Sequence, residues 1–373
     1  MTADTQFPFY AKFAFIIVIL IGIVTICFYG QDILSPILLS LLFAILLRPV
    51  SGFLNTKLHL PNVLASLIAI ILFILFFTAI FYFISMQLST MADDWGKIKS
   101  NLIMHQHNLQ AYINDTFSIS KTEQDKMFSK ATSDSMDSGK AMMGSTLSTF
   151  TDSVLNLILI PIYMFLILLY RTHFIKFLCK LFDEKFHPKL QDILKTIKVA
   201  VQSYILGLLF EMIIVSVLTA IGLMIIGVKY AILLGVITGL LNLIPYIGIV
   251  IAGALTIIAS LTGTSDLTII AGIIIVNVIV QIIDNNILVP IVVSSKVEIN
   301  SIASIVGIII GGAIAGISGM FLAIPVMAIF KVIFDRIESL EPWGYLLGDD
   351  LPKSFNWKKK TNQNIIEIEK PEL

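Results

Sequence analysis

Apolar positions fill most of the chain in long runs, and polar residues interrupt three of these runs. A membrane-spanning helix needs about 20 mostly apolar residues. Runs of this kind begin near residue 11 and recur up to residue 334, whereas the segment 87–152 and the end of the chain are polar. The pattern predicts an all-α, polytopic integral membrane protein with about eight transmembrane helices, and interrupted or re-entrant helices in its C-terminal half.

The order of these runs predicts six segments. They are transmembrane helices 1–3 (1–86), an extracytoplasmic amphipathic arm (87–152), transmembrane helix 4 (153–170), a cytoplasmic basic amphipathic helix (171–203), a transmembrane transport core (204–335) and a cytoplasmic polar tail (336–373). Apolar residues of the arm, beginning with Leu88 and Met91, alternate spacings of 3 and 4, which is typical of a helix packed along another helix. We therefore expect the arm to be a helical hairpin.

Lysine and arginine placement predicts the orientation, because these residues are enriched in short cytoplasmic loops. Arg48 and Lys57 follow the second apolar run, and seven basic residues lie between 171 and 198. With both of these loops inside, the N and C termini are cytoplasmic and the arm is outside. A single re-entrant run would make the number of membrane crossings odd, and the two termini would then lie on opposite sides. The sequence leaves that alternative open.

The three interrupted runs are the predicted working part of the protein. The first contains Asn242, Pro245, Tyr246 and Gly248, and the second contains the residues from Gln281 to Pro290. The third is rich in glycine from residue 307 to 319. Backbone groups freed by Pro or Gly inside a bilayer must be satisfied by protein or water. Discontinuous helices of this kind form the substrate sites of many transporters.

Two acidic residues stand inside apolar runs. Intramembrane carboxylates usually face the protein interior and mark ion or proton pathways, so Glu211 and Asp284 are candidates for ion coupling. Asn242, Pro245, Tyr246 and Gly248 could offer unpaired backbone groups to a ligand. Gln281, Asn285 and Asn286 could supply oxygen ligands to Na⁺ or hydrogen bonds to a hydroxylated solute. The structural alternatives are a buried hydrogen bond at Glu211, a packing kink at Pro245 and a helix end at Pro290.

The glycines of the third run have small-xxx-small spacing, which usually serves close helix packing. We assign Gly311, Gly312, Gly316 and Gly319 to packing. The sequence Gly316-Ile-Ser318-Gly319 also matches a short serine signature of intramembrane proteases. A serine nucleophile needs a base, and the last histidine is His187, before the core region. The chain is therefore not expected to be an enzyme.

Composition supports a membrane protein and excludes other classes. The 373 residues are 57% hydrophobic and 13% charged, about half the charged fraction of a typical soluble protein. The net charge is zero, so no nucleic-acid partner is indicated. His105 and His107 lie two apart and face different sides of a helix, so we expect no metal site. No phosphate-binding lysine motif indicates a nucleotide cofactor, and we expect no cofactor of any kind.

The chain resembles the autoinducer-2 exporter family of multi-pass membrane proteins, most densely from 161 to 335. Two positions depart from the usual family pattern, since Ile249 replaces a proline and Leu208 replaces a glutamine. The resemblance is carried by Pro161, Tyr163, Arg171, Tyr204, Gly207, Gly222, Gly227-Val-Lys-Tyr230, Gly239, Asn242, Pro245-Tyr246-Ile-Gly248, Gln281, Asn285-Asn286, Pro290, Gly311-Gly312, Gly316, Gly319 and Pro325.

The resemblance implies outward secondary transport across the cytoplasmic (inner) membrane of a bacterium, with the lipid bilayer and a small polar solute or signal molecule as partners. It also suggests a homo-oligomer, in particular a pentamer. Other members of the family resemble monovalent cation (Na⁺/Li⁺)/proton antiporters, so that substrate class stays open. A passive channel or a membrane scaffold is a further hypothesis.

Overall fold

The described part of the chain is all-α. The computed structural model describes residues 8–93, 96, 100, 104, 158–244, 247–260, 267–292 and 299–349. These residues form helices and no strand, which confirms the predicted fold class. Within these ranges, six helices are long and apolar enough to cross a membrane: Gln31–Lys57, Asn62–Met91, Ile158–Leu181, Glu184–Ile225, Thr268–Leu288 and Ser301–Phe334.

The N-terminal part consists of α1 (Phe9–Tyr29), α2 (Gln31–Lys57) and α3 (Asn62–Asp93). The hydroxyl oxygens of Ser51 and Ser66 lie 3.2 Å apart between α2 and α3. The first residues of the predicted arm, 87–93, belong to α3. The rest of the arm lies outside the described residues, apart from three isolated positions, so the hairpin stays a prediction.

The stretch 171–203 was predicted as one amphipathic helix, and this is wrong. Its first part extends α4, which runs Ile158–Leu181, and its last part begins α5, which runs His187–Ile225. A 3₁₀ turn at Glu184–Phe186 separates the two helices. The break falls here because Pro188 occupies the first turn of α5, where the missing N–H of proline is tolerated. The His187 ring nitrogen Nε2 lies 2.8 Å from the carbonyl oxygen of Cys179, which belongs to the last turn of α4.

Helix α5 is the central element. Its 39 residues span about 58 Å at 1.5 Å per residue, well beyond the roughly 30 Å of a bilayer core. Its middle is buried, from Ala200 to Leu208 on one face and from Val215 to Leu223 further along. The predicted start of the transport core at residue 204 therefore falls inside a continuous helix.

The apolar run 231–260 is divided into α6 (Ala231–Leu241) and α7 (Ile247–Ser260). Ile257, late in α7, packs against the apolar cluster that contains Tyr230 and Ala231 at the start of α6. The chain therefore reverses direction between the two helices. We call residues 231–260 hairpin A, and its turn begins at Asn242.

Helix α8 (Leu267–Ile283) continues through a π-helical turn at Asp284–Leu288 into α9 (Val289–Val292). The amide of Val289 donates to the carbonyl of Asp284, five residues back. Pro290 cannot donate a backbone hydrogen bond, and its ring would clash with the carbonyl four residues earlier in a regular α-helix. A wider π turn relieves that conflict, and such turns are frequent at functional sites.

Helix α10 (Ser301–Phe334) also folds back on itself. Ala315 has φ −138° and Gly316 has φ +57°, which breaks the helix. Beyond this turn the two limbs run side by side, because a Cβ built on Gly307 would overlap the Met327 sulfur and a Cβ on Gly311 would overlap the Gly319 carbonyl oxygen. A straight helix would place residues 307 and 327 about 30 Å apart. The apolar run 302–334 is therefore not one straight helix, and we call residues 301–334 hairpin B.

The two ends of hairpin B lie together. The Asn300 side chain accepts a hydrogen bond from the Ala303 amide and donates to the carbonyls of Leu346 and Gly348, beside the short helix α11 (Glu341–Leu347). Part of the predicted polar tail is thus folded, and residues 350–373 lie outside the described chain.

Hairpins A and B enter the bundle from opposite ends of α5. The base of hairpin A packs on Leu223 near the end of α5. Arg336, just after hairpin B, donates to Asp192 at 2.6 Å and to Thr196 at 2.9 Å near the start of α5. Leu243, at the turn of hairpin A, packs against the cluster that contains Leu322 of hairpin B. The two hairpins therefore meet beside the middle of α5.

Candidate functional site

Three buried polar side chains from three different elements converge beside the middle of α5. Glu211 of α5 is 5% exposed, Asn242 at the end of α6 is 4% exposed, and Asp284 at the start of the π turn is 3% exposed. The Asn242 amide nitrogen Nδ2 donates to Glu211 Oε1 at 2.7 Å and to Asp284 Oδ2 at 3.3 Å. Glu211 Oε1 and Asp284 Oδ2 are therefore no further apart than the sum of these two hydrogen-bond distances.

Glycines on α6 set the position of Asn242. Gly235 and Gly239 face α5, and a Cβ built on either would overlap α5 atoms, including the Ser216 carbonyl oxygen for Gly235 and the Met212 carbonyl oxygen for Gly239. Small residues four apart allow two helices to approach closely. The close approach of α6 to α5 brings Asn242 within hydrogen-bonding distance of Glu211.

The hydrogen bonds inside this cluster leave two acidic oxygens without a partner. Glu211 Oε2 and Asp284 Oδ1 are buried and accept no hydrogen bond from any described residue. A side-chain amide nitrogen carries two hydrogens, and Asn242 uses both on the carboxyl groups. Two buried negative charges on one amide would be costly without a compensating positive charge. The arrangement is therefore suited to hold a proton or a metal cation.

A small cavity adjoins the cluster. It has space of about 20 Å³ for a water-sized particle, enough for about one water molecule. Two valines complete a lining that is otherwise polar. The lining residues are Val215, Thr238, Asn242, Asn277, Val280, Gln281 and Asp284.

The structure brings some of the predicted site residues together and leaves others apart. Glu211, Asn242 and Asp284 form the cluster, and Gln281 lines the cavity. Asn285 and Asn286 are exposed; Asn285 accepts a hydrogen bond from Gln281, and Asn286 donates to the Ile282 carbonyl. They are not part of the cluster, and their roles stay predictions.

The remaining predicted residues that the structure describes belong to hairpins A and B. Gly248 is buried beside the carbonyl of Leu241, where a Cβ would overlap that group. Pro245 and Tyr246 lie outside the described residues. Gly311, Gly312, Gly316 and Gly319 lie in hairpin B. Gly311, Gly312 and Gly319 contact the opposite limb closely.

Thr238, Asn277 and Tyr204 belong to the neighbourhood of the site and were not predicted. Asn277 precedes Gln281 by four residues and Asp284 by seven, so all three share a helix face. Thr238 likewise precedes Asn242 by four, and the buried Tyr204 precedes Glu211 by seven. This periodicity was present in the sequence and would have identified Thr238 and Asn277.

Comparison with known proteins supports a transporter. The chain is 29% identical to YueF of Bacillus subtilis over 198 residues, which cover 53% of each protein, so this match spans about half of YueF. It is 24% identical to YrrI of Bacillus subtilis over 81% of this chain and 86% of YrrI. It is also 24% identical to YhhT of Escherichia coli over 92% of this chain and 95% of YhhT. All three carry names that assign them provisionally to transport.

The family comparison covers both the cluster and the two hairpins. The model of the AI-2E family transporter matches residues 13–339, which includes every described site residue. This match confirms the resemblance found in the sequence, and together with the long apolar helices it supports a multi-pass membrane protein. The chain belongs to the AI-2E family of transporters.

Proposed function

We propose that the protein is an ion-coupled secondary transporter that moves a small polar solute or signal molecule outward across the cytoplasmic membrane of a bacterium. The observation that carries this proposal is the pair of buried acids, Glu211 and Asp284, joined by the Asn242 amide. A site that needs one positive charge can exchange a bound proton for a cation, or it can release the proton when the solute binds. Intramembrane acids in such an arrangement typically belong to ion pathways.

A topology with six crossings accounts for both hairpins. Helices α1–α5 and α8 cross the membrane, while hairpins A and B enter it from opposite sides and return. Their limbs of 11 to 18 residues span about 17 to 27 Å, less than the roughly 30 Å hydrocarbon core. Six crossings leave both termini on the same side. The basic residues at the end of α4, at Lys185 and at the start of α5 favour the cytoplasm for that side.

The meeting point of the hairpins suggests how access alternates. Tyr204 and Leu208 of α5 pack with Leu322 of hairpin B and Leu243 of hairpin A. This apolar contact lies on the cytoplasmic side of Glu211 in the proposed topology. Displacement of hairpin A relative to hairpin B would open the acid pair to one side of the membrane at a time.

Proton flux in proteoliposomes tests the proposal. Wild type, Glu211→Gln and Asp284→Asn would be reconstituted with an internal pH dye and given pulses of Na⁺, Li⁺ or K⁺. Cation-driven proton movement in the wild type that falls to the level of empty liposomes in both variants would show that the acid pair couples protons to a cation, as in the cation/proton exchange described below. Asp32→Asn, an exposed acid in the first turn of α2, is the control and should retain wild-type flux.

Other outcomes of this experiment favour different functions. No proton movement with any cation, in protein shown to be folded, would contradict ion coupling to these cations. Flux that follows the gradient passively and survives both substitutions would indicate a channel. A membrane scaffold would tolerate both substitutions and show no flux.

Exchange of a monovalent cation for protons is a second candidate function. The cavity beside Asp284 accommodates about one water-sized particle, which suits an ion better than an organic solute. This function would use the same acid pair, and the same flux assay would detect it directly. The homo-oligomer, and the pentamer in particular, stay predictions.

A further inference from the structure

Thr219 of α5 carries a buried hydroxyl that has no hydrogen-bond partner among the described residues. Thr219 is 0% exposed, and its Oγ1 is unpaired within that part of the chain. The hydroxyls of Ser216, Thr238 and Thr256 each donate to the carbonyl four residues earlier at 2.7 Å. A buried hydroxyl that makes no hydrogen bond is costly. This conformation of the protein therefore leaves Thr219 in unfavourable surroundings.

Glycine contacts fix the height of Thr219 along α8. A Cβ built on Gly222 of α5 would overlap the Val276 side chain, and a Cβ built on Gly272 of α8 would overlap the Ile226 side chain. Four residues forward along α5 therefore match four residues back along α8, so the two helices are antiparallel. Thr219 precedes Gly222 by three residues and lies level with the turn of α8 that follows Val276. In that turn the lining of the small cavity begins.

Polar side chains form a layer at this height. Thr238 and Asn277 line the small cavity, and Thr219 lies on the same face of α5 as Val215, which also lines it. The members of this layer lie eight residues after Glu211, four before Asn242 and seven before Asp284. The layer is thus displaced from the acid pair toward the base of hairpin A. In the proposed topology that direction is extracytoplasmic.

An apolar layer covers the polar layer on its extracytoplasmic side. One turn further along each helix an apolar residue follows the polar one, and the pairs are Thr219 with Leu223, Thr238 with Leu234, and Asn277 with Ile273. Leu223 and Ile273 are 0% exposed, and Leu234 is 2% exposed. All three belong to one buried apolar cluster. Close packing of this kind leaves no room for water, so the layer separates the polar groups from the outside.

A second and larger cavity lies beyond the apolar layer. It has space of about 380 Å³, whereas the cavity beside the acid pair has about 20 Å³. Val228, Tyr230, Ala231 and Leu233 line the larger cavity and belong to the same apolar cluster as the layer. One apolar layer therefore stands between a small polar cavity and a large one on the extracytoplasmic side.

We propose that Leu223, Leu234 and Ile273 form the extracytoplasmic gate of the transport pathway, and that Thr219 is a polar group uncovered when this gate opens. The assignment rests on the proposed transport function and specifies the outer half of its pathway. When the layer separates, water reaches the Thr219 hydroxyl and satisfies it. The unpaired hydroxyl thus raises the free energy of the closed state relative to the open one.

Cysteine accessibility tests the gate without any transport measurement. Thr219→Cys would be made in the full-length protein with Cys27→Ser and Cys179→Ser, and a membrane-impermeant thiol reagent would be added to right-side-out and inside-out vesicles. We expect modification in right-side-out vesicles. Thr256→Cys is the matched control, because Thr256 is 1% exposed and its hydroxyl is paired. Equal rates at the two positions, modification from the inside alone, or no modification from either side would overturn the proposal.

Two leucines of α5 separate gating from general loosening. Leu223 is 0% exposed and Leu208 is 2% exposed, and they lie on opposite sides of Glu211 along the helix. Truncation of either leucine removes buried contacts, but Leu223→Ala alone of the two weakens the apolar layer. Combined with Thr219→Cys, Leu223→Ala should speed modification from outside about tenfold, whereas Leu208→Ala should not speed it. Equal acceleration by both would overturn the gate.

The Thr219 hydroxyl has a signature of its own. Thr219→Val keeps the branched shape and removes the unpaired oxygen, so the unfolding midpoint in detergent should rise by roughly 2–4 °C. Flux in proteoliposomes should fall about tenfold, because the closed state is stabilised, and Thr219→Ser should retain most of the flux. A structural threonine would lose stability on this change. A lower midpoint, or unchanged flux, would therefore overturn the role of Thr219.

The two assays distinguish failure of the gate from failure of the proposed transport. Modification of Thr219→Cys from outside, without flux in the wild type, would retain the gate and reject ion coupling to the cations tested. Flux in the wild type without modification from outside would retain transport and reject the gate.

Discussion

Hairpins A and B share an architecture but differ in what their turns carry. The turn of hairpin A carries Asn242, whose side chain donates to acids on two other elements. Hairpin B turns at Ala315 and Gly316, and its limbs pack against each other through Gly307, Gly311 and Gly319. Hairpin A is therefore shaped by its contact with α5 and presents a polar group. Hairpin B is shaped by contacts between its own limbs.

The bases of the hairpins differ in the same way. Hairpin A begins in an apolar cluster with Leu223. Hairpin B is held by polar contacts, namely the Asn300 cap and the contacts of Arg336 with Asp192 and Thr196. The base of hairpin A therefore depends mainly on apolar packing, with one hydrogen bond from the Tyr230 hydroxyl to the Thr90 carbonyl at 3.3 Å, whereas the base of hairpin B depends on polar contacts.

The largest effect should follow from separating hairpin A from α5. Gly239→Leu would drive a side chain into Met212 and Ser216 and displace Asn242 from Glu211. We expect transport to fall to background in the proteoliposome assay. We also expect the free energy of unfolding in mixed micelles to fall by about 1–3 kcal/mol. Gly253→Ala in α7 is the control, because a Cβ there meets no atom within 4 Å. Wild-type transport by Gly239→Leu would contradict the role given to this contact.

An intermediate effect should follow from altering the turn of hairpin B. Gly316 has φ +57° and ψ −140°, a conformation that residues with a Cβ rarely adopt. Gly316→Ala should lower the free energy of unfolding by about 1–3 kcal/mol, although a Cβ there meets no neighbour within 4 Å. Because the polar cluster lies on other elements, transport per folded protein should change less than in Gly239→Leu. The opposite ranking would reverse the comparison between the hairpins.

The smallest effect should come from the base of hairpin B. Asp192 is 60% exposed and Arg336 is 27% exposed in their ion pair, and solvent screening makes such pairs weak. A double-mutant cycle with Arg336→Gln and Asp192→Asn should give a coupling energy of about 0.5 kcal/mol. A coupling of several kcal/mol, measured by unfolding in micelles, would mean that this contact holds the fold of hairpin B.

Much of the fold could be predicted because the bilayer imposes strong rules on composition. Long apolar runs had to be helices, and Asn242 and Gly316 lie where two of them break. Glu211 and Asp284 stood out because charged residues are costly inside an apolar run. The division of 171–203 between α4 and α5 was missed because Pro188 was not used as the start of a helix.

The sequence by itself determined the helical membrane architecture, the two acids and the interrupted runs, since these depend on local composition and periodicity. Only the tertiary structure decided that the runs 231–260 and 301–334 fold back, and that Glu211, Asn242 and Asp284 meet. Whether a broken helix continues or reverses depends on which surfaces its limbs can pack against. Those surfaces belong to α5 for hairpin A and to the opposite limb for hairpin B, at sequence separations that no local pattern encodes.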